Sequence, residues 1–190
     1  MKALTQLDEL PRDAPILVIT RGAPGQGKTT TANKLKRQLE AETDLSVAIF
    51  STDNVFTNAE GEYQFDWKAI GAAHSFNQHE MIISMKARED DVYILDNTNL
   101  QRWEYLPYLR DAMYENFRVF VLDLRGEKLY ANIHGVPRDK VQIMHMTSDQ
   151  PYSAHIEKYY AMNQDWYDWI ESTVTNWKLL FALIKEYRGD

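Results

Sequence analysis

The chain has 190 residues, a formal net charge of −7, 44% hydrophobic and 26% charged residues, and no cysteine. That length suits one complete core and leaves little room for two, and the lack of thiols excludes disulfides and thiolate zinc sites, as suits a reducing cytoplasm. Net acidity argues against broad, sequence-independent wrapping of nucleic acid but leaves room for a small basic groove.

Residues 1–15 carry Asp8, Glu9 and Asp13 and lack the apolar run that a signal peptide or membrane span needs. A cytoplasmic protein without membrane contact is therefore expected. Ile16 to Thr20 is a β-branched run between Pro15 and Gly22 and reads as a buried strand. A helix is expected from about Thr30 to Glu42, with Ala32, Leu35 and Leu39 on one face. Val47 to Phe50 is a second strand, ending in Ser51, Thr52, Asp53 and Asn54. A polar loop over Thr57 to Gln64 precedes a helix from Asp66 to about Arg88.

Val92 to Leu95 forms a third strand ending at Asp96, and Val119 to Leu124 a fourth, with a helix from about Arg102 to Asn116 between them. Gly126 to Pro137 is a connector with room for a short helix near Glu127 to Asn132, and a further helix runs from Arg138 to Met146. Ser153 to about Glu186 reads as mostly helical and holds Tyr159, Tyr160, Trp166, Tyr167, Trp169, Trp177, Phe181 and Tyr187. Rings at helical spacing are more often packed than used as a stacking platform for bases, so they are expected in the core or against a second copy of the chain. Strands alternating with helices predict an α/β fold: one domain over 1–190, with a mainly parallel sheet of about four to five strands and a helical extension over 147–190.

The run Gly22, Ala23, Pro24, Gly25, Gln26, Gly27, Lys28, Thr29 fits Gly-x-x-x-x-Gly-Lys-Thr between a strand and a helix, the pattern of a P-loop NTPase. Glycines let backbone N–H groups curl around phosphate oxygens, and the helix dipole adds positive potential. Residues 22 to 30, ending in Thr30, are the expected cradle for ATP, with Lys28 reaching the β- and γ-phosphates and the Thr29 hydroxyl serving as a Mg2+ ligand. Asp53 and Asp96 follow strand ends, the edge where ligands bind in open α/β sheets. One carboxylate is expected to hold the magnesium shell and the other to accept a proton from an attacking hydroxyl; each could equally be a helix cap or turn former. His74, His79, His134, His145 and His155 show no metal-ligand spacing, and His134 is at most a phosphate contact.

The loop from Gly22 to Thr29, Ser51 to Asn54, Asp96-Asn97-Thr98-Asn99-Leu100, and His134-Gly135-Val136-Pro137 together resemble the 5′-polynucleotide kinase family of phages. They look closer still to the kinase-like module of some animal ubiquitin-ligase-binding proteins. The resemblance spans about Ile16 to Met146. It implies a kinase-type fold and transfer of the ATP γ-phosphate to a hydroxyl, typically the 5′-hydroxyl of a DNA or RNA end. Asp53 matches the general base of that family, and Asp96 a carboxylate that organises the acceptor side. Lid arginines are usual near residues 128–132, where this chain has Tyr130 and Ala131, which leaves Arg125, Lys128 and above all Arg138 to supply the charge. The alternatives are a kinase for a nucleoside, nucleotide, nucleotide sugar or hydroxymethylated DNA base, and a nucleotide-binding switch or scaffold without transfer activity.

Overall fold

Ile16, Leu17, Val18 and Ile19 send alternate side chains to opposite faces of a strand, and both faces are buried, which requires helices on each side. The computed structural model describes residues 7–58, 62–126, 136–146, 158 and 161–189 and meets that requirement. The first strand, β1 (Ile16–Arg21), is followed by α1 (Lys28–Glu42), β2 (Val47–Phe50), a 3-10 turn at Thr52–Phe56, α2 (Ile70–Ala87), β3 (Val92–Leu95), α3 (Arg102–Tyr114) and β4 (Arg118–Asp123). Then come α4 (Arg138–Met146), α5 (Gln164–Tyr167), β5 (Ile170–Val174) and α6 (Trp177–Arg188).

The five strands pair in parallel in the order β2-β3-β1-β4-β5. Ile16, Val18, Val92, Ile94, Phe120 and Leu122 meet Leu35 and Leu39 of α1 and Leu180 and Ile184 of α6. Their neighbours Leu17, Ile19, Tyr93, Leu95, Val119 and Val121 meet Met81 and Met85 of α2 and Leu106 and Leu109 of α3. Two apolar layers thus follow from the two-residue period of the strands. Neighbouring β1 and β3 send their chains to opposite edges, since β1 leads to β2 and β3 to β4. Their loops part at the carboxyl edge and leave a crevice there.

The expectation of a mostly helical stretch from Ser153 to Glu186 is corrected. Ile170–Val174 is a strand, paired in parallel with β4 from Val119↔Ile170 to Leu122↔Val174. Its β-branched residues Ile170, Thr173 and Val174 favour a pleated surface, a signal masked in the sequence by the helix-like spacing of the surrounding rings. The aromatic residues do pack: Tyr167 and Trp169 are buried, and Trp166, Trp177, Phe181 and Tyr187 lie partly buried against the two layers. Trp169 Nε1 donates to the Phe117 carbonyl at 2.7 Å. Arg118 meets Glu171 at 2.8 Å, and Tyr187 donates to the same carboxylate at 2.6 Å. Helix α1 also starts two residues earlier than expected, at Lys28. The helix considered near Glu127 to Asn132, and Tyr159, Tyr160 and His155, lie outside the described residues. Among the described residues, no helix is long and apolar enough to cross a membrane.

Candidate functional site

Strand β1 ends in a loop whose shape glycine makes accessible. Gly25 has φ 85° and Gly27 φ 79°, the left-handed region that costs a side-chain-bearing residue roughly 1–2 kcal/mol. Gly27 is also the N-cap of α1, with no side chain capping the helix, so the first N–H groups are left for an anion. Gln26 braces the loop from inside: Oε1 accepts from the Ala23 N–H at 2.5 Å, and Nε2 donates to the Arg125 carbonyl at 2.9 Å. Gly22 is held by its N–H to the Thr98 carbonyl at 2.9 Å, and a Cβ there would meet Gln26 Oε1 at 3.1 Å. Pro24 to Thr30 line a cleft of about 840 Å3 at the carboxyl edge of the sheet.

Lys28 bends back over this loop, and Nζ donates to the Ala23 carbonyl at 3.1 Å. Burial lowers its pKa, with Asp96 and then Asp53 pulling in the opposite sense. Asp96 is buried just past β3, and its main-chain N–H is fixed to the Phe50 carbonyl at 2.8 Å. Thr20 Oγ1 lies 3.3 Å from Oδ1, whereas Oδ2 is buried without a hydrogen-bond partner. Burial raises the Asp96 pKa; the Thr29 hydroxyl, the Lys28 ammonium and the Thr20 hydroxyl counter it. An orphaned carboxylate oxygen beside Thr29 and a loop built for phosphate is a donor set suited to a hard, hydrated cation.

Asp53 lies in the first turn of the 3-10 segment after β2; the cap is Ser51, whose Oγ accepts from the Asp53 N–H at 3.3 Å. The Asp53 carboxylate therefore faces the cleft instead of capping the helix. Tyr63 OH donates to Oδ1 at 3.1 Å. Partial burial, then the charge and hydrogen bond of Asp53, push the Tyr63 pKa up to about 12, so the phenol remains a donor at neutral pH. Thr52 N–H is held by Asn97 Oδ1 at 2.9 Å, and its hydroxyl pairs with His74 Nδ1 at 3.0 Å. Partial desolvation lowers the His74 pKa against the pull of Asp53.

Lys28, Thr29, Asp53 and Asp96 thus share one cleft. Asp96 interacts with Thr20, Thr29 and Lys28, and Asp53 with Tyr63 and His74. Arg125 is tied to Asp123, with Nε 2.9 Å from each carboxylate oxygen, and this pairing holds the Asp123 carboxyl below the usual range despite its burial. Arg138 opens α4, but its side chain, Lys128, Tyr130, Ala131 and His134 lie outside the described residues.

Three further groups shape the cleft. Arg21, buried at the end of β1, donates to the Asn99 and Leu100 carbonyls at 2.8 Å each and stands 3.9 Å from Asp123, tying together the ends of three strands. Thr20 and Asn99 cross-brace β1 and β3, as Asn99 Nδ2 donates to the Thr20 carbonyl at 2.8 Å. Tyr63 and Phe65 sit in what looked like a polar loop; their alternation so soon after Asp53 was the available signal.

The family model described as an AAA domain matches residues 17–150. The chain belongs to that family. Over 136 residues, 68% of the chain, this AAA domain is 35% identical to NEDD4-binding protein 2 of Homo sapiens, and the matched stretch is only 7% of the length of that protein. Among solved structures it resembles Kti12 of Chaetomium thermophilum, determined in complex with ADP-AlF3, at TM-score 0.55 and 15% identity, covering 90% of this chain and 98% of that one. APE1195 aligns at TM-score 0.53 and 15% identity, covering 92% and 96%. At such identities the likeness establishes the fold alone, a parallel α/β sheet flanked by helices.

Proposed function

We propose that this protein is an ATP- and magnesium-dependent kinase that transfers the γ-phosphate to a hydroxyl, with the 5′-hydroxyl of a nucleic acid end as the acceptor. The observation that carries this reading is the opposition, across one cleft, of the Lys28 loop and the Asp53 carboxylate. A loop that only stored nucleotide would have no use for a partly exposed carboxylate that lines the same cleft and is held by a phenol.

Backbone N–H groups of residues 25–29 and the Lys28 ammonium would hold the phosphates, with Lys28 exchanging the Ala23 carbonyl for a phosphate oxygen. Thr29 Oγ1 and Asp96 Oδ2 would hold the shell of magnesium, which supplies charge neutralisation at the phosphate oxygens. Asp53 would accept the proton of the acceptor hydroxyl as its oxygen bonds to the γ-phosphorus, and the bond to the β–γ bridging oxygen breaks with ADP leaving. Tyr63, by donating to Oδ1, would keep the Asp53 carboxylate oriented. A second reading, a nucleotide-binding scaffold without transfer, is favoured by one observation, the engagement of Arg125 by Asp123.

The test is incubation with γ-labelled ATP and a panel of acceptors: 5′-hydroxyl oligonucleotides of DNA and RNA, hydroxymethylated duplex, nucleosides and nucleotide sugars. Label that enters oligonucleotides and is released by a 5′-phosphatase supports the reading. Label in the small molecules alone moves the acceptor class, and binding of ATP with no label in any acceptor favours the scaffold.

A further inference from the structure

Beside Asp53 the cleft has a wall that phosphate chemistry does not need. Residues 57 and 63 form an antiparallel bridge, and the Gln64 N–H donates to the Phe56 carbonyl at 2.7 Å, so the segment after Asp53 is folded back on the 3-10 turn. Phe56 is buried at its base, with Phe65 5.0 Å and Tyr63 6.3 Å away between ring centres. Tyr63 and Phe65 are two residues apart, and their rings lie 6.3 Å apart and 15° from parallel. Tyr63 spends its hydroxyl on Asp53, whereas Phe65 lines the cleft with 53% of its surface exposed. Trp67, two residues further, is 70% exposed. A row of rings at two-residue spacing, each more exposed than the last, therefore leads away from the carboxylate.

What sets Phe65 apart from the other exposed apolar residues is its place, since it lines the cleft and stacks on the tyrosine that holds Asp53. Among the described residues lining the acceptor half, Thr52, Asp53, Tyr63, Phe65, Ile70 and His74, there is no lysine or arginine. These described residues thus offer the acceptor rings and polar groups rather than fixed cations. Flat rings supply binding energy to flat ligands, because every base has a π-face, and aromatic stacking platforms are tolerant of base identity.

We propose that Phe65 is a stacking platform for the nucleobase of the acceptor's terminal nucleotide, one ring away from the carboxylate that receives its hydroxyl. This rests on the kinase reading above and narrows it: the acceptor carries a base next to the reacting hydroxyl, which a bare sugar, a nucleoside-free alcohol or an abasic end does not. Phe65 acts as a positioning residue that sets the acceptor KM and leaves ATP binding alone.

The experiment compares a 5′-hydroxyl oligonucleotide with the same strand carrying a tetrahydrofuran abasic residue at its 5′ end, for wild type, Phe65→Leu and Phe65→Trp. Loss of the base should raise the wild-type acceptor KM by roughly 5- to 150-fold, the range of single stacking contacts. Phe65→Leu should raise KM for the intact strand by a similar factor and treat both strands alike, and Phe65→Trp should restore discrimination. Equal KM values for the two strands in wild type, or discrimination that survives Phe65→Leu, would overturn the proposal. If no oligonucleotide is phosphorylated, the kinase reading is what has failed, and calorimetry of a 5′-hydroxyl dinucleotide against its abasic counterpart still decides the platform. Base-dependent binding abolished by Phe65→Leu then supports it; base-independent or absent binding contradicts it.

Discussion

The Lys28 ammonium donates to the carbonyl of Ala23, five residues back in its own loop, at 3.1 Å. A lysine that satisfies a loop carbonyl while burial pushes its pKa down is poised to trade that partner for a more strongly charged one.

Lys28→Ala should therefore leave the fold intact and weaken nucleotide affinity by at least ~10-fold, the lower end for a hydrogen bond to a charged group. Calorimetry with Mg-ATP, beside a circular dichroism melt of the variant, checks both halves. Wild-type affinity in the variant would remove Lys28 from the phosphate site.

Asp96 gives a trade between stability and function. Burial raises its pKa in the folded state, so the carboxylate costs stability that grows as pH rises from the ordinary aspartate range through the raised value. An amide of the same shape avoids that cost, and Lys28 retains Asp53 as a counter-charge. Asp96→Asn is expected to melt no lower than wild type at neutral pH without nucleotide, and to lose most of the added melting temperature that Mg-ATP gives wild type. A variant that melts lower but is stabilised equally by Mg-ATP contradicts both assignments.

Histidine 74 reports on Asp53 from outside. Desolvation lowers its pKa below the ordinary value of about 6.5 and the Asp53 charge raises it, so removing that charge should lower it further. NMR titration of the His74 ring should show a midpoint below the usual range in wild type and a lower one in Asp53→Asn. The same sign gives a stability that falls as pH falls through the window between the ordinary and the depressed value, where the unfolded chain takes up a proton that the folded one refuses. An upward shift in Asp53→Asn would show that the two groups do not interact as described.

The C-terminal strand and helix should be as necessary to the fold as the P-loop helix. Ile184 of α6 is fully buried against the same layer as Leu35 and Leu39. Ile184→Ala is expected to cost about 2–5 kcal/mol, as other large-to-small core substitutions do. Urea unfolding measures it, and a loss below about 0.5 kcal/mol would mean that α6 is an appendage.

The central sheet was legible because β1 to β4 are short apolar runs that end in turn residues, and because Gly-x-x-x-x-Gly-Lys-Thr needs the strand and helix it was found between. Strand β5 was not, because Glu171 and Ser172 break its apolar run and Trp166, Trp169 and Trp177 surround it with a helix-like spacing of rings. Asp53 and Asp96 were legible as positions at strand ends but not as environments. Only the fold reveals that one is buried beside Thr20 while the other is held by a tyrosine ten residues on. Arg21 was hidden for a related reason: a charged residue closing a buried strand makes sense only once the Asn99, Leu100 and Asp123 that receive it are brought together.

The most direct test is single-turnover transfer from γ-labelled ATP to a 5′-hydroxyl oligonucleotide by wild type and Asp53→Asn, each first shown by calorimetry to be saturated with Mg-ATP. Wild type should label the 5′ end, and Asp53→Asn should bind ATP as tightly but transfer ~100- to 10,000-fold more slowly, the usual worth of a general base. A wild-type protein that saturates with Mg-ATP and labels nothing, or a variant that keeps more than roughly half the wild-type rate, would contradict it.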